Sequence, residues 1–376
     1  MNRGFDLVVV GAGIVGLAHA LAGVRRGWRV AVVERDTRCV GASVRNFGFV
    51  TVTGQAGATR RRAERTRAVW AEVAPAAGIA VLHRGAWVTA RRPAAVAVLE
   101  AYAAGPHGAG CRLVDGAAAR AQLPMLHADT RAALWSRHEL RVESRDALPR
   151  LAAWLAEVHG VQFFWGETVH EALAPQVRTA RRVLQAARVV ACPGTVFGGI
   201  GAEVLASHGL RLTRLQMLRV RPPSPWRLPG AVLGDLSLVR YGGFAQLPEA
   251  QALRTALQHD AADCLAHGVH LIVVQSADGS LVVGDSHHDD TAAGPFAAPG
   301  APPSEAVDTL ILRELQALLV PGDYGVVERW SGHYPVGHDD DVLVHTPGPA
   351  TRLVVVTSGT GASTAFALAD EVLDTL

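Results

Sequence analysis

Residues 5–34 read FDLVVVGAGIVGLAHALAGVRRGWRVAVVE, a pattern that predicts a strand, a glycine turn, a helix and a second strand in succession. Gly11, Gly13 and Gly16 follow the apolar run Leu7–Val10 at the spacing G-x-G-x-x-G. The first glycine permits the tight turn, the second lets the backbone approach a pyrophosphate, and the third lets the helix pack against the strand. Glu34 closes the second strand, where a carboxylate can accept hydrogen bonds from ribose hydroxyls. The stretch therefore predicts a dinucleotide site.

The helix predicted from Ile14 directs its free N–H groups and the positive end of its dipole toward the phosphates, which places Ile14 and Val15 in the site. A carboxylate at the ribose position repels a 2′-phosphate and disfavours NADP. The apolar stretch Leu7–Val24 is also long enough for a membrane span or a signal peptide. The glycines and the immediate return into the strand Arg29–Val33 favour the strand–helix–strand reading.

Composition limits the class of protein. The 376 residues allow two domains or one large α/β unit with an insertion. The net charge of +2 indicates neither a nucleic-acid partner nor a membrane-surface partner. All basic residues other than histidine are arginine, so no catalytic lysine exists. The four cysteines are far apart and form no C-x-x-C pair, which predicts a cytoplasmic protein without disulfides or a zinc knuckle.

The order of the remaining segments predicts two domains, each built from discontinuous stretches. Residues 187–194, ARVVACPG, predict a short buried strand that ends in a turn, and Arg352–Thr357 predicts a strand followed by the turn 358–361 and a last helix. Between them lie the predicted strands Leu215–Arg221, Val239–Gln246, His270–Gln275 and Leu281–Gly284, with hairpin-like turns near residues 242–243 and 278–279. A simple nicotinamide dehydrogenase would not need the last strand and its second glycine turn. A helix that begins after Gly361 suits the pyrimidine end of a flavin and its anionic reduced form.

These motifs together resemble the FAD-dependent D-amino-acid/glycine/sarcosine oxidase family over nearly the whole chain. The resemblance rests on GAGIVG with Glu34, on the loop GASVRNFG at 41–48, on VVACPG at 189–194, on ERWSGHYP at 328–335 and on VVVTSGTGAS at 354–363. Within the family, RNFGFVTVTGQ and GDSHH look most like a bacterial subgroup proposed to oxidise aminophosphonates.

The resemblance implies an α/β fold: a Rossmann-like FAD-binding domain and a substrate domain with a mixed, largely antiparallel sheet. We place the first domain at 1–84, 144–209 and 325–376 and the second at 85–143 and 210–324. The implied reaction is hydride transfer from a C–N bond of a small amine to the flavin, with O2 as the expected electron acceptor. The implied cofactor residues are Gly11, Gly13, Ile14, Val15, Gly16, Glu34, Arg35, Ser43, Arg45, Asn46, Phe47, Gly48, Cys192, Gly194, Trp330, Gly332, Gly359, Thr360, Gly361 and Ala362.

Two departures from the family pattern concern the substrate and the cofactor linkage. Several family members have an Arg, in a W-A-G-x-R-P segment, that binds the substrate carboxylate, and Tyr334 takes that place here. This favours an aminophosphonate or its N-methyl form over an α-amino acid. Ser331 and Arg45 stand where relatives with covalent flavin have Cys or His, so we expect non-covalent FAD.

Four histidine and tyrosine side chains and one arginine are the candidates for substrate contact or proton handling: His287, His288, His333, Tyr334 and Arg45. The runs HHDD at 287–290 and HDDD at 338–341 also resemble metal sites, but adjacent strand residues point to opposite faces, so we expect no metal. The alternatives that stay open are an oxidase of glycine, sarcosine or D-amino acids and an FAD-binding protein without turnover.

Overall fold

A computed structural model describes residues 4–289, 303–337 and 341–376. Asp290 and residues 338–340, which belong to the two acidic runs, lie outside the described residues. Its strands, in chain order, are β1 Phe5–Val10, β2 Val30–Glu34, β3 Phe49–Val50, β4 Val81–Ala90, β5 Cys111–Asp115, β6 Ala132–Val142, β7 Gln162–Trp165, β8 Val169–Leu173, β9 Gln176–Thr179, β10 Val183–Ala191, β11 Arg211–Arg221, β12 Ala231–Leu233, β13 Ile272–Gln275, β14 Leu281–Gly284, β15 His288–Asp289, β16 Gly325–Val336, β17 Val342–Gly348 and β18 Thr351–Val356.

Twelve helices are distributed among these strands in the described residues. In chain order they are α1 Ile14–Arg25, α2 Gly57–Ala76, α3 Pro93–Ala104, α4 Gly116–Gln122, α5 Ser144–His159, α6 Ala202–Ser207, α7 Asp235–Leu238, α8 Gly242–Ala245, α9 Ala250–Asp260, α10 Ala262–Ala266, α11 Glu305–Leu318 and α12 Gly361–Leu373. A single 3-10 turn, Ala42–Val44, lies between β2 and β3.

The glycine turn follows β1, a strand in the interior of the first sheet. Strands β18, β10, β1, β2 and β7 are neighbours in that order and run parallel, with β17 antiparallel beside β18. Successive side chains of a strand point to opposite faces. Leu7 and Val9 of β1 therefore pack on one face with α1, α2, α5 and α12, whereas Val8 packs on the other face with residues of β8 to β10. This arrangement is the predicted Rossmann-like unit.

The second sheet is mixed and largely antiparallel, as predicted. Its order is β15-β11-β14-β13-β12-β4-β6-β3, with β16 paired to β11 and β5 paired to β6. Only the β12–β4 contact is parallel among the described pairs of this sheet. The proposed domain division stays a prediction, but the strand Gly325–Val336, which that division gives to the cofactor domain, pairs within this second sheet.

The predicted strand Val239–Gln246 is wrong. Residues 235–238 and 242–245 form two short helices instead. The backbone N–H of Gly243 donates to the Gly54 carbonyl at 3.0 Å, and a Cβ on Gly243 would lie 2.7 Å from the carbonyl oxygen of Thr53. The contact with a distant segment therefore overrides the alternating local pattern. The second predicted hairpin turn, at 278–279, does join β13 to β14.

The apolar stretch Leu7–Val24 divides into β1, the glycine turn and α1. Within the described residues, no helix has the length and apolar character needed to cross a membrane.

Candidate active site

A cavity that is partly open to solvent lies between the two sheets and has about 1290 Å³ of space when its opening is included. The start of α1, the loop between β2 and β3, the turn after β10, the C-terminal part of β16 and the start of α12 line it. At its other end lie residues of the second sheet and of the α7–α8 link, namely Arg240, Tyr241, His270, Asp285 and His287. The cavity therefore joins the predicted dinucleotide turn to a group of polar side chains.

The glycines of the turn allow a tight backbone conformation and close packing of α1 against the turn. Gly11 has φ of +101°, a conformation that suits glycine, and its N–H donates to the Val33 carbonyl at 2.8 Å. A Cβ on Gly16 would lie only 1.9 Å from the carbonyl oxygen of Gly11. The third glycine of the motif thus allows α1 to pack directly on the turn.

Glu34 holds the turn from the neighbouring strand. One of its carboxylate oxygens accepts the Ala12 N–H at 2.7 Å, and the other accepts the Asp36 N–H at 3.1 Å. A carboxylate has about four acceptor positions, so both oxygens retain capacity for ribose hydroxyls. Arg35 forms an exposed ion pair with Asp36 at 3.2 Å and does not line the cavity.

The loop at 41–48 is tied to both walls of the cavity. Ser43 Oγ accepts the Ile14 N–H at 3.0 Å, and the Asn46 amide donates to the Ala42 carbonyl at 2.9 Å. Arg45 donates to the Ser331 carbonyl at 3.2 Å, and the Trp330 indole donates to the Arg45 carbonyl at 3.2 Å. The loop therefore connects the start of α1 with β16.

Two helices begin at the cavity, and neither is capped by the side chain of its own N-cap residue. Gly13 is the N-cap of α1 and Thr360 is the N-cap of α12, and neither provides a side-chain cap hydrogen bond. The first N–H groups of a helix lack partners within it, and its dipole favours negative charge there. Two such helix starts on one cavity fit FAD, whose pyrophosphate and flavin pyrimidine ring both accept hydrogen bonds.

The polar end of the cavity contains a carboxylate between two imidazoles. His270 Nε2 lies 2.9 Å from Asp285 Oδ1, and His287 Nε2 lies 3.8 Å from Asp285 Oδ2. The two rings are stacked with their centroids 5.2 Å apart. Burial raises the pKa of Asp285, but nearby His287, His270 and Arg240 outweigh it and lower that pKa to about 2. Asp285 is therefore ionised at neutral pH.

His287 is neutral in this setting. Burial, with the Arg240 charge, lowers the pKa of His287 to about 3, although Asp285 acts in the opposite direction. Its Nδ1 lies 3.1 Å from the Gly268 carbonyl, which only accepts, so Nδ1 bears the hydrogen. Nε2 then presents a lone pair toward Asp285.

A guanidinium reaches Tyr334 from the link between α7 and α8. Arg240 donates to the Tyr334 hydroxyl at 3.2 Å, and the Tyr334 ring lies 6.0 Å from that of His287 in an edge-to-face contact. Tyr241 packs edge-to-face on His270, with burial raising the pKa of its phenol. The cavity thus has a cationic side chain and an anionic side chain at the same end.

Most residues expected at the site line this cavity: Gly13, Ile14, Val15, Gly16, Ser43, Arg45, Asn46, Phe47, Cys192, Gly194, Gly332, His287, His333, Tyr334, Gly359, Thr360, Gly361 and Ala362. Those that do not are Gly11, Glu34, Arg35, Gly48, Trp330 and His288. The His288 ring instead lies 5.5 Å from that of His267. The roles of all these residues stay predictions.

The polar cavity residues that the sequence did not predict include Arg240, Tyr241, His270 and Asp285. A signal existed for Asp285, because it belongs to the quoted motif GDSHH, in which only the histidines were considered. Arg240 and Tyr241 lie within the segment wrongly predicted as a strand, between the two short helices that form there. No local pattern singles out His270, which precedes β13.

A sequence model of the DAO family, described as FAD dependent oxidoreductase, matches residues 6–375. A comparison with curated protein sequences gave no match.

Solved structures share the fold over nearly their whole length. Glycine oxidase from Geobacillus kaustophilus superimposes with a TM-score of 0.76 at 19% identity, covering 99% of this chain and 94% of that one. Iminodiacetate oxidase from Chelativorans sp. BNC1 gives 0.70 at 17% identity, covering 98% and 95%. Reduced L-α-glycerophosphate oxidase from Mycoplasma pneumoniae with FAD bound gives 0.71 at 15% identity, covering 100% and 95%.

Proposed function

The chain belongs to the DAO family of FAD-dependent oxidoreductases, and from that premise we propose that it oxidises the C–N bond of a small amine bearing an acidic group, preferably a phosphonate. The single observation on which the proposal depends is the pairing of charges at one end of the cavity. Arg240 offers a cation for the acidic group, and Asp285 offers an anion for the amine. The product would be an imine that hydrolyses to a carbonyl compound, with O2 as the proposed acceptor.

The chain's own residues would hold FAD along the first sheet. The turn from Gly11 to Gly16 and the α1 N-terminus would receive the pyrophosphate, and Glu34 the ribose. Residues 359–362 at the start of α12 would receive the pyrimidine edge of the flavin. When bound, FAD supplies a two-electron acceptor for hydride from the carbon that bears the amine. The protein contributes the position of that carbon and the exclusion of water.

Arg240 provides a cation that could bind the acidic group of the substrate. The absence of an Arg at position 334 favoured a phosphonate over a carboxylate, but Arg240 brings a guanidinium to the Tyr334 hydroxyl from another segment. A guanidinium binds carboxylates and phosphonates alike through charge-assisted hydrogen bonds. The cavity therefore does not lack the cation that a carboxylate substrate requires.

The number of hydrogen-bond donors that line the cavity supports a phosphonate as the acidic group. A phosphonate has three acceptor oxygens in a tetrahedral array, which donors from several directions suit better than one planar fork. Arg240 and Arg45 line the cavity, together with Tyr334 and His333. The motifs RNFG and GDSHH, which resemble the aminophosphonate-linked subgroup, support the same choice.

The second candidate function is oxidation of the C–N bond of an amino acid, whose acidic group is a carboxylate. The contact of Arg240 with Tyr334 favours it, because it brings a guanidinium to the cavity. Two structural neighbours are by name a glycine oxidase and an iminodiacetate oxidase. At sequence identities of 19% and 17%, these two structures are evidence for the shared fold and not for a shared substrate, so the substrate must be determined by experiment.

The test is anaerobic flavin reduction with a panel of amines. Bleaching of the flavin absorbance is followed with 2-aminoethylphosphonate, its N-methyl form, glycine, sarcosine and D-alanine, and kcat/KM is then compared. We expect an aminophosphonate to exceed each carboxylate by tenfold or more. A carboxylate that wins by tenfold establishes the second candidate, and no bleaching with any amine indicates an FAD-binding protein without turnover.

A further inference from the structure

Two acceptor atoms face each other across a gap at the polar end of the cavity. Asp285 Oδ2 and His287 Nε2 lie 3.8 Å apart, and both residues line the cavity. The hydrogen on His287 Nδ1 points to the Gly268 carbonyl, so Nε2 offers only its lone pair. A carboxylate oxygen also only accepts when the acid is ionised. The gap therefore suits a group that donates at least two hydrogens.

The charges around the gap favour a cationic donor. Asp285 is ionised and nine-tenths buried, so an unbalanced negative charge there is unfavourable. Its other oxygen already faces His270 at 2.9 Å. The guanidinium of Arg240, whose charge also acts on Asp285, donates to Tyr334, where the acidic group of the substrate is proposed to bind.

We propose that Asp285 and His287 form the ammonium site of the substrate, in which one N–H donates to Asp285 Oδ2 and a second donates to His287 Nε2. The proposal rests on the proposed function, since it locates the amine of that substrate. A primary ammonium satisfies both acceptors with two of its N–H groups and balances the charge of Asp285. Loss of its third proton to solvent leaves a neutral amine that still satisfies both acceptors and has its nitrogen lone pair uncommitted. That lone pair is the one that becomes part of the C=N bond, so the site positions the amine in a form ready for oxidation.

The site also fits a substrate with two opposite charges. With the amine at Asp285 and the acidic group at Arg240 and Tyr334, a small zwitterion would bind within the polar end of the cavity. A divalent cation is the other occupant that three such side chains could bind, because ligand atoms of His270, Asp285 and His287 lie within 4.8 Å of one another. Binding measurements separate the two occupants.

The test uses ligands that cannot be oxidised and FAD-loaded protein. In 2-amino-2-methylpropylphosphonate the amine carbon bears no hydrogen, and in 2,2-dimethylpropylphosphonate a methyl group replaces the amine. The carboxylate pair is 2-aminoisobutyrate and 2,2-dimethylpropanoate. Isothermal titration gives the ratio of Kd values within each pair. We expect the wild-type protein to bind the amine member roughly tenfold or more tightly.

The variants are Asp285→Asn, which removes the charge, and His287→Asn, which keeps a donor near Gly268 but lacks an atom at Nε2. We expect Asp285→Asn to bring the ratio within about threefold of one and His287→Asn to lower it several-fold. His267→Asn is the matched control, because His267 does not line the cavity, and it should leave the ratio unchanged. If either site variant fails to fold, the other still tests the ratio.

A ratio unchanged in the folded variants overturns the ammonium site, as does a wild-type protein that binds neither pair. Stoichiometric divalent metal in the wild-type protein that disappears in Asp285→Asn overturns it in favour of a metal site. A ratio that falls as expected while no oxidisable amine reduces the flavin supports the ammonium site and refutes the proposed function.

Discussion

The guanidinium of Arg240 donates to the hydroxyl of Tyr334 across 3.2 Å, which joins the link between α7 and α8 to the C-terminal part of β16. Arg240 and Tyr334 are 94 residues apart in the chain. The family resemblance predicts an arginine at position 334 in several members, and here Arg240 brings a guanidinium to Tyr334 from a different segment. The sequence around Tyr334, taken alone, gives no sign that a guanidinium lies at this position in the cavity.

Replacement of Arg240 tests whether that cation binds the acidic group. We expect Arg240→Met to raise KM for the best anionic amine by roughly tenfold or more with a smaller effect on kcat, because one charge-assisted hydrogen bond contributes about 1.5–3 kcal/mol. Arg240→Lys should retain part of the affinity. Steady-state kinetics provide the measurement, with Arg61→Met on exposed α2 surface as the control. An unchanged KM in Arg240→Met would remove Arg240 from substrate binding.

The FAD should be non-covalent and should depend on Glu34. The prediction for Glu34→Ala is FAD binding weaker by roughly 1–3 kcal/mol, since the carboxylate would lose its hydrogen bonds to the ribose and to the turn. Acid precipitation of the wild-type protein should release all yellow colour into the supernatant. Asp36→Ala is the control, because its side chain pairs only with Arg35 among the contacts described. Colour retained in the pellet would show a covalent link.

Gly16 should tolerate no side chain. A Cβ there would lie 1.9 Å from the Gly11 carbonyl oxygen, so α1 in Gly16→Ala must move away from the turn. We expect a loss of at least tenfold in FAD affinity and a lower Tm. Gly325→Ala, whose Cβ would meet nothing within 4 Å, should change neither quantity. Normal FAD affinity in Gly16→Ala would mean that the turn does not require this close packing.

Buried histidine should make the protein less stable in mild acid. Burial lowers the pKa of His19 from 6.5 to about 4, so between those values the unfolded chain takes up a proton that the folded chain does not. The free energy of unfolding therefore falls as the pH decreases from 6.5 toward 4, by about 2 kcal/mol between pH 7 and pH 5 for this residue. His19→Leu should remove that part of the pH dependence in urea titrations. The exposed His259→Asn should retain it, and equal slopes in both variants would contradict the prediction.

The elements that could be predicted from the sequence are those whose formation depends on residues close together in the chain. The N-terminal strand, glycine turn, helix and second strand appear as expected, because apolar periodicity and glycine spacing act within a short stretch of chain. The helices around Arg240 were missed because the contact of Gly243 with Gly54 decides that segment. His270 and Asp285 meet only when β13 and β14 pair, so their proximity cannot be read from spacing in the chain.

The parallel sheet has a consequence for the order of events during synthesis. Strand β1 has β2 and β10 as its two neighbours, and β10 in turn pairs with β18. Residues of the cavity are contributed from positions 13 to 363 of the chain. A nascent chain on the ribosome therefore has the complete glycine turn early but lacks the opposite wall until α12 has emerged. Contacts this distant in sequence form slowly, so cofactor loading should follow translation rather than accompany it.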